Sequence, residues 1–96
     1  MTKLIKTQII NTEQVLFEGD VDRISSFNEV GAFDVYPMHA NFISIINKQL
    51  RLYNKHDIVK ELTFETAIMK VKQDIVSIFL GVEVLSLDDD GGKKKK

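Results

Sequence analysis

The chain of 96 residues contains no cysteine and no tryptophan, and it has only one proline and five glycines. Without cysteine, it has neither a disulfide framework nor a thiolate metal site. Small secreted domains are often stabilised by disulfides, so this absence favours a reducing compartment. The glycines are too scattered to form a glycine-rich phosphate-binding loop.

Strong net charge and long apolar segments are also lacking. The formal net charge is −1, which gives no electrostatic footprint for a nucleic acid. The longest apolar run, residues 75–82, is interrupted by Ser77 and falls far short of the roughly 20 residues that a membrane-spanning helix needs. The first six residues lack the apolar core of a signal peptide. What remains is one domain with a modest hydrophobic core.

Short apolar runs rich in β-branched residues alternate with turn residues, and no stretch sustains a helical period. This pattern predicts an all-β fold, a flattened sandwich or barrel. Residues 42–46 are almost continuously apolar, which predicts burial on both faces or a bend onto a second sheet. Residues 47–49 are predicted to turn the chain. The alternation of apolar and polar residues shifts by one position at Ile68–Met69. This phase slip predicts a break between two strands.

The end of the chain divides into a last strand and a charged tail. Residues 82–87 are predicted to finish the sheet, so the sandwich domain covers residues 1–87. Residues 88–96 consist of three aspartates, two glycines and four lysines. Such blocks of like charge bury no apolar surface, so residues 88–96 are expected to form a disordered tail. The tail is either native or an engineered addition.

A search for catalytic or metal-binding residues finds little. His39 and His56 lie in different predicted turns, and a metal site needs more ligands at convergent positions. Asp20 and Asp22 form an i, i+2 pair, for which a solvated strand face is the simpler interpretation. The sequence therefore predicts no enzyme activity and no cofactor.

The most informative stretch is residues 31–40, which contain the only proline. Gly31 suits a turn position with positive φ. Pro37 cannot donate to a sheet ladder, so a strand should end there or lie on an edge. His39 then lies on an exposed corner. It is either a corner histidine that packs on Tyr36 or Pro37 and bonds a backbone carbonyl, or a contact residue on a partner-binding loop.

The pattern Gly-x-Phe-x-Val-Tyr-Pro-x-His-Ala in residues 31–40 resembles the signature loop of the epsilon subunit of rotary F-type ATP synthases. Upstream, Phe-x-Gly-x-Val at residues 17–21 resembles the first hairpin of that family. The resemblance runs from about Leu4 to Leu87. It implies a β-sandwich of about ten short strands and a non-catalytic rotor subunit without a cofactor.

The resemblance also implies partners. Epsilon subunits bind the gamma subunit and the membrane ring of c subunits (the c-ring), at the cytoplasmic face of the bacterial inner membrane, and thereby couple ion flow to rotation. The family loop equivalent to residues 28–42 faces the polar loops of the c-ring. The residues that this resemblance assigns to partner contact are Glu29, Gly31, Pro37, His39 and Ala40.

The chain departs from the family pattern at several positions. Many members have an acidic residue where this chain has Ala32, which leaves Glu29 and Asp34 as the nearby acids. Many have proline where Asn41 stands. Residues 65–67 stand where family members usually have two consecutive glycines. Lys48–Gln49 lie in the region where they usually have a glycine in a turn.

Many members also continue into a C-terminal helical hairpin that inhibits ATP hydrolysis. The expectation here is a coupling subunit without that arm, unless the chain was cut at the domain boundary.

The competing hypothesis is an unrelated β-sandwich module that binds a small ligand or a peptide. A broad, flat apolar face would favour a protein partner, whereas a deep cleft lined by aromatic side chains would favour a ligand. With six phenylalanines and two tyrosines, such a cleft is the less expected outcome.

Overall fold

The computed structural model describes residues 3–81, which form seven β-strands and no helix. The strands are β1 (Ile5–Ile10), β2 (Val15–Val21), β3 (Arg23–Phe27), β4 (Ala32–Val35), β5 (Phe42–Asn54), β6 (Asp57–Lys72) and β7 (Ile75–Leu80). The prediction of an all-β fold is confirmed. The described residues hold fewer strands than ten because β5 and β6 are long, with 13 and 16 residues. The predicted last strand and the tail lie outside the described residues.

The strands form one sheet in the order β2-β1-β7-β6-β5-β3-β4. The long β5–β6 hairpin connects its two halves. The second half of β6, from Ala67 to Lys72, pairs with β7, whereas β5 pairs with β3 mainly through its second half. We call β2, β1, β7 and residues 42–47 and 66–72 of the hairpin the first layer. The second layer consists of β3, β4 and the rest of the hairpin.

The core lies between these two layers. All seven strands contribute to one cluster of side chains that are at most 3% exposed, namely Ile5, Ile9, Val21, Ile24, Val35, Ile46, Leu50, Leu52, Ala67, Met69, Val71, Val76 and Ile78. A flat sheet without a covering element would leave these residues open to water. The sheet therefore folds over on itself, as strands that pass from one layer to the other allow.

The phase slip in β6 is a β-bulge, so the prediction of a strand break at Ile68–Met69 was wrong. Asn47 of β5 pairs with Thr66, and the next residue, Lys48, pairs with Phe64. Glu65 is therefore an extra residue on β6 without a partner on β5. Phe64 is half-buried before the bulge, and Ala67 is buried after it. A bulge shifts the side-chain phase while the ladder continues on both sides.

The predicted turn at residues 47–49 was also wrong, because β5 continues through it. The strand bends instead at Lys48, whose φ is 72°. In this left-handed region a side chain costs roughly 1–2 kcal/mol relative to glycine. Lys48 lies in the region where the family resemblance places a glycine, and it adopts a backbone conformation that glycine would take more easily.

Two hairpin turns are built without glycine. Lys55 and His56 connect β5 to β6 with φ of 52° and 74°, and Gln73 and Asp74 connect β6 to β7 with φ of 50° and 64°. Positive φ at both central residues is the requirement of a type I′ turn, where Asn-Gly is preferred. The strain at Asp74 accompanies a contact that its side chain makes with the signature loop.

Candidate partner-binding surface

The five residues predicted to contact partners lie at the two ends of β4. Glu29 and Gly31 lie in the turn of residues 28–31, which precedes the strand. This turn is closed by the Asn28 N–H bonded to the Gly31 carbonyl (2.9 Å) and the Gly31 N–H bonded to the Asn28 carbonyl (3.1 Å). Gly31 has φ of 143°, so the prediction of positive φ is confirmed. The Glu29 side chain is exposed.

Pro37, His39 and Ala40 lie in the loop of residues 36–41, which follows β4. The His39 N–H donates to the Tyr36 carbonyl at 3.2 Å, and Met38 has φ of 68°. Proline followed by a residue with positive φ is the arrangement of a type II turn. His39 is exposed; its Nδ1 lies 3.0 Å from the Ala40 carbonyl oxygen. Its ring packs against Phe42, with 5.2 Å between the ring centroids.

The β6–β7 turn holds this loop from the side. The Asp74 carboxylate accepts the Met38 N–H, and the Asn41 side-chain oxygen accepts the Gln73 N–H at 2.9 Å. Lys3 lies 3.9 Å from the same carboxylate. Asn41 stands where many family members have proline, whose side chain could not accept this bond. The two side-chain bonds therefore fix the loop to an element more than thirty residues away in sequence.

The Asp74 contact can be tested by amide hydrogen exchange. Asp74→Ala removes the acceptor, so the Met38 amide is expected to exchange about tenfold faster, as the loss of a hydrogen bond to a charged group predicts. Asp74→Asn keeps a side-chain oxygen and tolerates positive φ, so it should retain most of the protection. Equal exchange rates in both variants and the unmodified chain would contradict the contact.

The two ends of β4 meet on the first residues of β5. Phe42 contacts the His39 ring on one side and the Phe33 ring, edge to face at 6.2 Å, on the other. The turn of residues 28–31 borders a surface depression together with Ile43 and Ile45. The predicted contact residues are thus joined through the start of β5 into one continuous rim.

An apolar row crosses the outside of the first layer beside this rim. Register pairs link Ile45 to Ile68, Ile68 to Phe79, Phe79 to Ile10, and Ile10 to Val15. Directly paired residues point to the same face of a sheet. The neighbours Ile9, Met69 and Ile78 are fully buried, so the row points outward. We call these five residues, Ile10, Val15, Ile45, Ile68 and Phe79, the outer row.

Sequence reasoning missed this surface. The run of residues 42–46 predicted burial on both faces or a bend onto a second sheet. The strand does bend into the second layer, at Lys48. Residues 42–46 are not buried on both faces, however, because Ile43 is 69% exposed and Ile45 is 49% exposed, while Ile46 is buried. The signal in the sequence is a strand that is apolar at successive positions. That signal does not tell an outward interface from a second core, because both need apolar side chains.

A second cluster lies where β4 meets the loop. The Arg23 guanidinium lies 3.8 Å over the Tyr53 ring, and its interaction with the Tyr36 side chain raises the pKa of Arg23 above its ordinary value. Both tyrosines line a depression of about 270 Å³. Because the arginine covers the Tyr53 ring, this depression is not the open aromatic cleft that a ligand-binding module would present.

The described part of the chain holds no group of three or more potential metal ligands. No helix within residues 3–81 has the length and apolar character to cross a membrane.

Comparison with known proteins gives consistent matches. The family model of the ATP synthase delta/epsilon chain β-sandwich domain matches the sequence over residues 4–83. The ATP synthase epsilon chain of Leptospira interrogans is 26% identical over 92 residues, which are 96% of this chain and 72% of the relative. The epsilon chain of Leptospira borgpetersenii shows the same identity and coverage.

Solved structures show the same fold. A chain of the Euglena gracilis mitochondrial ATP synthase (OSCP, F1 and c-ring) superposes with a TM-score of 0.72 at 12% identity, over 79% of this chain and 49% of that chain. A chain of the Tetrahymena thermophila mitochondrial ATP synthase central stalk and c-ring gives 0.67 at 7% identity, over 81% and 63%. This chain thus spans about half to under two thirds of those structures' chains.

Proposed function

The chain belongs to the β-sandwich domain family of ATP synthase delta and epsilon chains, and from this membership we propose that it is a non-catalytic central-stalk subunit of an F-type ATP synthase. In this role it binds the gamma subunit and the c-ring and couples ion translocation to ATP synthesis. It acts at the cytoplasmic face of a bacterial inner membrane, as a peripheral part of the complex.

The outer row is the observation that carries the proposal. It crosses five neighbouring strands, so it is roughly 19 Å long at about 4.8 Å between strands. Val15 and Ile45, at its two ends, are 52% and 49% exposed. A flat apolar strip on a sheet face that no helix of the described residues covers suits a large protein partner. We assign this face to the gamma subunit.

The rim formed by residues 28–31 and 36–41 is proposed to face the c-ring, with Glu29, Gly31, Pro37, His39 and Ala40 as contact residues. Asp34 and Glu29 are both exposed, but the Asp34 carboxylate already accepts a hydrogen bond from the Ser25 hydroxyl. Because Ala32 replaces the acid that many family members carry, Glu29 is the carboxylate best placed to meet basic c-ring loops.

The proposal is tested by size-exclusion chromatography of the chain mixed with the purified gamma subunit of the same organism. Co-elution as a one-to-one complex at micromolar concentration is expected. Separate elution of the two proteins would contradict the proposal and leave the family resemblance as one of fold.

A further inference from the structure

The outer face of the first layer carries two lysines that the apolar row does not explain. Lys70 and Lys72 follow Ile68 at alternate positions of β6, so all three point to the same side of the sheet. We propose that these lysines select and orient an acidic segment of the gamma subunit on this face. This inference rests on the proposed function and names the chemistry of its partner.

The ladder places no carboxylate beside either lysine. Lys70 pairs with Ile43 on one side and Ser77 on the other, and Lys72 pairs with Ile75. The nearby Asp74 is engaged by the Met38 N–H and Lys3. Within residues 3–81, therefore, no cross-strand partner of this lysine pair is acidic.

Other charges on the face lie at its far edge. On β1, Lys6 pairs with Asp20 of β2, and Gln8 pairs with Glu18. The face is therefore basic along β6 and acidic along β2, with β7 and β1 between them, and Lys6 on β1 lies opposite Asp20. A partner that matches this distribution must place its carboxylates over β6, and this sets the direction in which it lies across the sheet.

Surface depressions flank the two lysines on both sides. One, of about 400 Å³, is lined by Phe42 and Ile43 together with Lys70 and Lys72. The other, of about 340 Å³, is lined by Ile75 and Phe79 together with the same two lysines. A segment that inserts apolar side chains into these depressions brings neighbouring carboxylates within reach of both ammonium groups.

A stable interface is larger than the outer row, so a partner bound to the row also covers the two lysines. A standard interface covers about 800 Å² on each protein, more than a strip roughly 19 Å long and one side chain wide provides. Outward-facing residues along a strand are spaced about 7 Å apart, so Lys70 lies one such step from Ile68. A gamma subunit seated on the outer row therefore extends over the lysines.

The test is the affinity of Lys70→Glu/Lys72→Glu for the gamma subunit at low and high salt. At 50 mM salt we expect binding about tenfold weaker, mainly through slower association. At 500 mM salt the difference in affinity should shrink to about threefold or less, because salt screens charges that are exposed to solvent at the edge of an interface. The control Lys48→Glu/Lys55→Glu makes the same charge change at the bend and tip of the β5–β6 hairpin and should alter affinity by less than about twofold.

The outcomes separate this inference from the proposed function. If the unmodified chain does not bind the gamma subunit, both fail. If it binds and the Lys70/Lys72 variant binds equally well at both salt concentrations, only the inference is overturned. If these lysines instead govern binding to phosphatidylglycerol vesicles and leave gamma affinity unchanged, the face recognises lipid headgroups and the inference is again overturned.

Discussion

Ile45→Glu is expected to weaken binding of the gamma subunit about 100-fold and to leave the domain folded. Ile45 is 49% exposed at the end of the outer row, so the free protein can solvate a carboxylate at this position. In the complex the same carboxylate would be buried against an apolar partner surface, and an uncompensated buried charge costs several kcal/mol. The loss should therefore appear in the affinity and not in the free energy of unfolding.

The matched control for this prediction is Ile58→Glu. Ile58 is 48% exposed, but it lies near the tip of the β5–β6 hairpin, where it pairs with Tyr53. Isothermal titration calorimetry with the gamma subunit should give an unchanged dissociation constant for this variant. If both variants lose affinity equally, the gamma subunit does not dock on the outer row.

Ile78→Ala is expected to lower the free energy of unfolding by about 2–5 kcal/mol, the usual cost of such a cavity in a packed core. Ile78 is fully buried and pairs with Ile9 and Met69, which are also fully buried. Small domains have about 5–15 kcal/mol of stability in total. The substitution should therefore remove a large fraction of it and shift the urea midpoint by more than about 1 M.

Ile75→Ala provides the comparison within the same strand. Ile75 is 51% exposed, so truncating it creates no cavity, and the loss should stay near 0.5 kcal/mol. Urea unfolding followed by circular dichroism measures both variants. Equal losses at positions 75 and 78 would show that β7 does not separate the core from the outer face in the way described.

Some features of the molecule could be predicted from local sequence. Turn residues and β-branched runs predicted an all-β fold, and Gly31 predicted the positive φ that the structure shows. These features depend on the preferences of single residues and their immediate neighbours, which are present in the sequence itself. The signature pattern of residues 31–40 likewise lies in one continuous stretch.

Other features depend on pairing between distant parts of the chain. The bulge at Glu65 exists because β6 must match β5 on both sides of the bend at Lys48. The Asp74 carboxylate reaches the Met38 N–H from 36 residues away. The phase slip in β6 is visible in the sequence, but a strand break and a bulge produce the same slip, and the local sequence of Asp74 carries no signal of its contact.

The sequence by itself determined that this chain forms strands, where the signature loop lies, and which family the chain belongs to. Only the tertiary structure decided which apolar side chains form the core and which form the outer row. The physical reason is the two-residue period of a strand, which sorts side chains into two sets. When both sets are apolar, as in residues 42–46, the register with neighbouring strands decides which set faces the second layer.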